Sequence, residues 1–358
     1  MRFVLVLACA AACGGSHPAK PDATGGDAPR NIDAPADVAA DMMIDADPNN
    51  PPTLFDTGLC VDRACTQINS GIYAYTPRFG LWADAATKRR WIQLPPGTQI
   101  DTSDPDHWVF PIGTKIWKEF TSQDAMGNPV RVETRYIKHV ADNGTQNDWF
   151  YVGYEWNPTN DDTTAQPFGV NDVDGTQHDI PPRFQCRECH EGISSRILGF
   201  GAIQLDAAAA PNEIAIDNLV SMGWLTQNPP GATAPHYPLP GTGSAQAAIG
   251  YLHANCGHCH NPQSQVYTSE SINMELRLTV GTLSSLSTTT TYQTTIDHDA
   301  TLPIDGLTKR IVTDDPDHSI LIDRFSSNPT ASIHMPFRGS EVIDQTALTT
   351  LRDWITNL

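Results

Sequence analysis

The chain is 358 residues long, with 22 basic and 41 acidic side chains and a formal net charge of −19. That balance offers no basic face to nucleic-acid phosphates, so nucleic acid is set aside as a partner. The length exceeds what one compact core ordinarily uses, and two or three domains are expected.

In chain order, Met1-Arg2 is a short basic start, Phe3 to Ala12 is an apolar run, and Ala10-Ala11-Ala12 precedes Cys13. The run is too short to cross a bilayer and reads as a signal peptide. Small residues before a cysteine, followed by Gly14-Gly15, resemble a bacterial lipoprotein signal in which Cys13 carries the lipid. Ala10 departs from that pattern by standing where Leu is usual, and Cys9 is the alternative acceptor. Residues 14–52 are rich in Ala, Asp and Pro with almost no large apolar side chain, the composition of a disordered tether. Such a segment reaches about 130 Å fully stretched and about 35 Å as a random coil. Together these features predict an exported protein, held in the periplasm by a lipid.

Residues 53–180 carry the patterning of a β-rich domain. Strands are predicted at 90–94, 107–110, 115–120, 130–136 and 148–156, bounded by Pro-Gly, Asn-Gly and Asn-Pro turns, and they suggest an antiparallel meander. Cys60 and Cys65, in GLCVDRACTQ, are expected to form a local disulfide in an exported chain. The remaining residues, 181–243 and 244–358, read as mainly helical, which makes the fold class α+β. One helix is predicted over 244–255 with Ser244 as its cap, another within IDNLVSMGW, and a short one over 316–325. A closing helix carries Leu348, Leu351, Ile355 and Leu358 on one face, capped by Asp344. The Ser/Thr-rich stretch 282–295 shows no helical period and is read as extended or loop.

Two pentapeptides, Cys186-Arg187-Glu188-Cys189-His190 and Cys256-Gly257-His258-Cys259-His260, repeat the pattern Cys-x-x-Cys-His. A single zinc held by the four thiols is one reading, but the pairs lie much farther apart than in a zinc ribbon. A redox dithiol lacks the βαβ context it needs, and disulfides within each pair leave the histidines unexplained. Covalent haem uses every position: the thiols take the two vinyl groups, and His190 or His260, a turn along the same helix, becomes the proximal iron ligand. For the second haem, Met335 in SIHMPFRGSE is the expected distal ligand, with His334 its rival and His298 and His318 behind. The order of Cys-x-x-Cys-His helix, Met-Pro loop and terminal helix resembles a class I cytochrome c domain. For the first haem, Met222, His178 and His107 are candidates, and an open site is the alternative.

The stretches PRFGLWADAATKRRWIQLPPGT, HWVFPIGTKIWKEF, VRVETRYI, WFYVGYEWNPTNDD, HDIPPRFQCRECHEG, SRILGFGAIQLD, GYLHANCGHCHNP and HMPFRGSEVIDQTALTTLRDWI together resemble a genome-defined family of exported di-haem c-type cytochromes of Gram-negative bacteria. The resemblance covers nearly everything after the tether. It implies a β-rich part joined to two haem segments, with Cys186, Cys189 and His190 holding one haem c and Cys256, Cys259 and His260 the other. Two functions are compatible with that cofactor set. One is electron transfer to an unidentified redox partner protein; the other is a haem enzyme of peroxidase or dehydrogenase type that uses the first haem as an open site.

Overall fold

The computed structural model describes residues 50–269 and 272–358; the expected signal, the anchor Cys13, its alternative Cys9 and the tether up to residue 49 lie outside them. The N-terminal part is a six-stranded sheet in the order β1 (Tyr73–Ala74), β2 (Thr87–Gln93), β3 (Lys115–Gln123), β4 (Pro129–His139), β5 (Trp149–Trp156) and β6 (Thr163–Ala165). Every neighbour pair is antiparallel, so the predicted meander is present. The predicted strand at 107–110 is not one. It is reduced to a bridge between Val109 and Asp101. Pro105 and Pro111 flank it without N–H donors, while Trp108 and Phe110 turn into the core.

Alternation along the strands gives the sheet two apolar faces. Trp91, Trp117, Tyr136 and Val152 are in register on one, and the segment carrying Leu54, Leu59 and Cys60 covers them. Cys60 and Cys65 are disulfide-bonded there, as expected. Ile92, Ile116, Ile137 and Tyr151 are in register on the other face. They share one core with Ile197, Phe200, Leu205, Ile216 and Leu219 from the next part of the chain. The first helical segment is therefore built onto the sheet, because neither surface buries its apolar side chains alone.

Eight α-helices follow among the described residues: α1 (Arg183–His190), α2 (Ala202–Leu205), α3 (Ile216–Ser221), α4 (Gly243–Asn255), α5 (Gln265–Ser269), α6 (Thr290–Thr295), α7 (Ile320–Ser326) and α8 (Gln345–Thr356). None is long and apolar enough to cross a membrane. The N-cap of α4 is Thr242, which places the predicted cap Ser244 inside the helix. Asp344 does cap α8, accepting from Ala347 N at 2.9 Å. Leu351 and Ile355 of α8 join Ala248, Ile249 and Leu252 of α4, together with Ile322 and Phe325 of α7, in a second core.

The stretch 282–295 departs from the extended reading by ending in α6. Thr289 caps α6 by accepting from Tyr292 N, and the Thr294 and Thr295 hydroxyls bond the carbonyls of Thr290 and Thr291. Threonine hydroxyls that satisfy backbone groups locally let a poor helix former turn where packing asks for it. A hairpin of β7 (Asp299–Ile304) and β8 (Leu307–Lys309) follows, which the sequence did not announce.

Candidate functional site

The whole of Cys186 to His190 lies on α1, which packs against β5, and Cys186 borders the core shared with the sheet. The second motif is held differently from the single-helix expectation. Helix α4 stops at Asn255, Cys256 donates its N–H to Leu252 O at 2.9 Å, and residues 257–260 form turns. His260 still reaches back, its N–H donating to Cys256 O at 2.8 Å. A Cβ on Gly257 would lie 2.6 Å from His253 O and 2.9 Å from Arg277 Cα, so this chain segment is clamped between two others.

The decisive tertiary feature is that the two motifs touch. The Cys189 and Cys259 thiols lie close enough to act on each other's ionisation. A Cβ on Gly192 would fall 1.9 Å from His258 O and 3.4 Å from Cys189 O, so the backbone after the first motif lies directly on the second. Buried Asn261 closes the contact: its Nδ2 donates to Gly192 O at 2.9 Å, Gly257 O at 2.8 Å and His258 O at 3.0 Å. Ser194 N also donates to Gln263 Oε1 at 3.2 Å. Positions separated by about seventy residues in sequence thus form one contiguous unit, half-buried at its cysteines and at His190 and His260.

Charge states follow from that burial. Loss of hydration pushes His190 and His260 down to about 4, so both imidazoles are neutral near pH 7, the form that donates a lone pair to iron. His190 Nδ1 lies 2.6 Å from Arg196 O; donation there leaves Nε2 free as the ligating nitrogen. Burial pushes the Cys186 and Cys256 thiols up to about 12. The neighbouring Cys259 thiol instead holds Cys189 well below the usual thiol range, against the opposing effect of burial.

Several buried polar atoms around the motifs have no hydrogen-bond partner: Tyr151 Oη, Arg196 Nη1, His258 Nδ1 and His260 Nδ1. The Tyr151 ring is 5.3 Å from that of His190. Buried polar groups are ordinarily satisfied by protein, water or a ligand, so these four atoms are open to a partner outside the chain. Beside the motifs runs a cleft of about 70 Å³, lined by Trp108, Ile193, Leu198, Phe200, His258 and Arg277 among others. Two thiols and a neutral imidazole at each motif, apolar walls and the cleft are the donor set and surroundings that a covalent haem asks for. Among the described residues no group of three or more His, Cys, Asp or Glu side chains is arranged to hold one ion.

The distal candidates separate by position. His334 is buried with Nε2 3.2 Å from Ser340 Oγ and Nδ1 3.4 Å from Ser327 Oγ, so both ring nitrogens face hydroxyls of its own loop. His298 is exposed beside the hairpin, and exposed His318 faces Asp315 at 2.6 Å. Met335 is anchored by its N–H to Arg324 O at 3.1 Å. The Arg324 guanidinium donates to Ile333 O and is near enough to His260 to act on its charge. Three residues on, Arg338 pairs with Glu188 of the first motif at 3.2 Å, so the Met335 loop is tied to both motifs, a link the sequence did not signal. For the first motif, His178 Nε2 is 2.7 Å from Glu133 Oε2, His107 faces Asp104 near the surface, and Met222 packs against the sheet core.

No family model, curated protein or solved structure matches this sequence. The reading of the site rests on its own chemistry.

Proposed function

We propose that this chain is an exported di-haem c-type cytochrome that carries electrons in the periplasm, tethered by a lipid on Cys13, to a redox partner protein. Cys186, Cys189 and His190 hold one haem, Cys256, Cys259 and His260 the other, and Met335 is the distal ligand of the second. A bound haem supplies a one-electron iron couple. The chain's own residues do the rest. The Arg196 carbonyl fixes the His190 tautomer, the apolar core keeps both imidazoles neutral, and Asn261 locks the two attachment segments together. The observation that carries the reading is the contact between the motifs at Cys189, Gly192, His258 and Cys259, which puts the two attachment points side by side. Adjacency of that kind suits electron exchange between centres.

The test is expression of the full chain with export and haem attachment, followed by intact mass and spectroscopy of the oxidised and reduced protein. Two attached haems, both low-spin and indifferent to carbon monoxide and peroxide, support a carrier. A high-spin first haem that turns over peroxide shifts the assignment to the enzyme alternative, and a chain without attached haem overturns both.

A further inference from the structure

The sheet face that meets the haem segments carries an unusual row of charge. Register places Arg90 of β2 opposite Lys118 of β3, and Lys118 opposite Arg135 of β4. The next row on the same face is Ile92, Ile116 and Ile137, which pack in the core under the first motif segment. Like charges directly opposite one another destabilise a sheet, so a row of three cations on an inward face needs compensation. Arg135 has it, through Glu133 Oε1 at 2.8 Å. Lys118 Nζ lies 4.7 Å from the centroid of the Phe120 ring, and Glu133, already paired with Arg135, is the opposing charge that acts on it. Arg90 is 7% exposed, and only Tyr75 and Glu213 contribute opposing charge to it. Among the described residues neither Arg90 nor Lys118 has a side-chain hydrogen bond or an ion pair.

Both line a small cavity of about 20 Å³, walled otherwise by Pro77, Phe79, Leu198 and Ala254. Leu198, Gly199, Gln204 and Ala254 also line the larger cleft, so the two spaces share a wall. Lys118 is close enough to His190 to act on its charge, and burial together with neighbouring Arg90 and Arg135 pushes the Lys118 ammonium well below its usual range. A guanidinium stays charged wherever it is placed and its planar fork matches a carboxylate, so leaving it buried without an anion is costly.

We propose that Arg90 and Lys118 form a buried carboxylate receptor next to the cleft beside the first motif. The carboxylate has two possible sources. One is a side-chain carboxylate of the haem on Cys186 and Cys189, a source that rests on the cofactor reading above; the other is a small free carboxylate, which does not.

The test uses the full-length protein as exported, with attached haem counted by intact mass, and the variants Arg90→Gln, Lys118→Gln and Arg90→Lys. Midpoint potentials of both haems and thermal unfolding are measured with and without succinate. If the haem supplies the carboxylate, Arg90→Gln lowers the midpoint of one haem only and lowers the melting temperature, Arg90→Lys restores the midpoint, and succinate has no effect. If a free carboxylate is the ligand, succinate stabilises the wild type saturably, and Arg90→Gln weakens that response at least about tenfold, the loss of one charge-assisted hydrogen bond. The proposal is overturned if Arg90→Gln and Lys118→Gln leave midpoints and succinate response unchanged while the melting temperature holds or rises, since relief of repulsion would then be the whole effect. If no haem is attached, the cofactor reading fails and succinate binding alone decides the receptor, its absence ending the proposal.

Discussion

Replacing Gly192 by Ala probes the contact between the two motifs directly. The new Cβ would sit 1.9 Å from His258 O and 3.1 Å from the carbonyl carbon. A carbon needs roughly 3.3 Å from a carbonyl oxygen, so the two segments must part by about 1.4 Å. The obstacle is backbone on both sides, and no rotamer change relieves it. Separation on that scale stretches the bond from Asn261 Nδ2 to Gly192 O, now 2.9 Å, beyond hydrogen-bonding range. Overpacking of a core typically costs about 1–3 kcal/mol and a lost buried hydrogen bond about 1 kcal/mol, giving about 3 kcal/mol together. At about 2–4 °C per kcal/mol for a folded unit of this size, the melting temperature falls by about 6–12 °C. The assay is thermal unfolding of the full chain followed by circular dichroism, with Gly281→Ala as the control, since nothing lies within 4 Å of a Cβ at Gly281. If Gly192→Ala unfolds with Gly281→Ala and the wild type, the motifs do not meet as described and the argument for adjacent attachment points is lost.

Other outcomes follow from the same geometry. Cys186→Ala with Cys189→Ala, and separately Cys256→Ala with Cys259→Ala, each remove one haem from the intact mass; a pair that leaves two haems in place refutes that motif's assignment. Met335→Ala removes the thioether signature from the magnetic spectrum of the second haem and lowers its midpoint, with the first unchanged; retained ligation eliminates Met335. Glu133→Gln destabilises the fold by about 3–5 kcal/mol at pH 7, because Glu133 is fully buried between Arg135 and His178. Burial raises the Glu133 carboxyl, but Arg135 and His178 outweigh it and hold the group below its ordinary value of 4.5. Its contribution is therefore present above that value and is lost as pH falls through the depressed one. Melting temperatures measured from pH 7 down to pH 3 should decline less steeply for Glu133→Gln than for the wild type, and parallel curves would contradict the assignment.

Much of the architecture was legible in local pattern. Strands β2 to β5 declared themselves by alternation and by turn residues, α8 by its apolar spacing and by Asp344, and the attachment motifs by bare spacing of Cys and His. Misreadings arose where local preference and tertiary demand disagree. Trp108 and Phe110 look like strand residues but serve as core plugs between prolines, and the threonines of α6 look extended but bond their own backbone. At the second motif Gly257 passes between His253 of the preceding helical turn and Arg277, a neighbour twenty residues on that the local pattern does not show.

What the sequence by itself determined is the chemistry on offer: two sets of two thiols and an imidazole, Met335 ahead of a terminal helix, a disulfide across Cys60 and Cys65, and an acidic surface. Period, spacing and turn chemistry are written along a single segment, and those suffice for such statements. Only the tertiary structure decided that Cys189 meets Cys259, that Arg338 of the Met335 loop reaches Glu188, and that Arg90 and Lys118 face each other across paired strands. Those facts depend on which strands pair and which faces bury together, a choice made by the whole chain's apolar surface and left unrecorded in any one stretch of it.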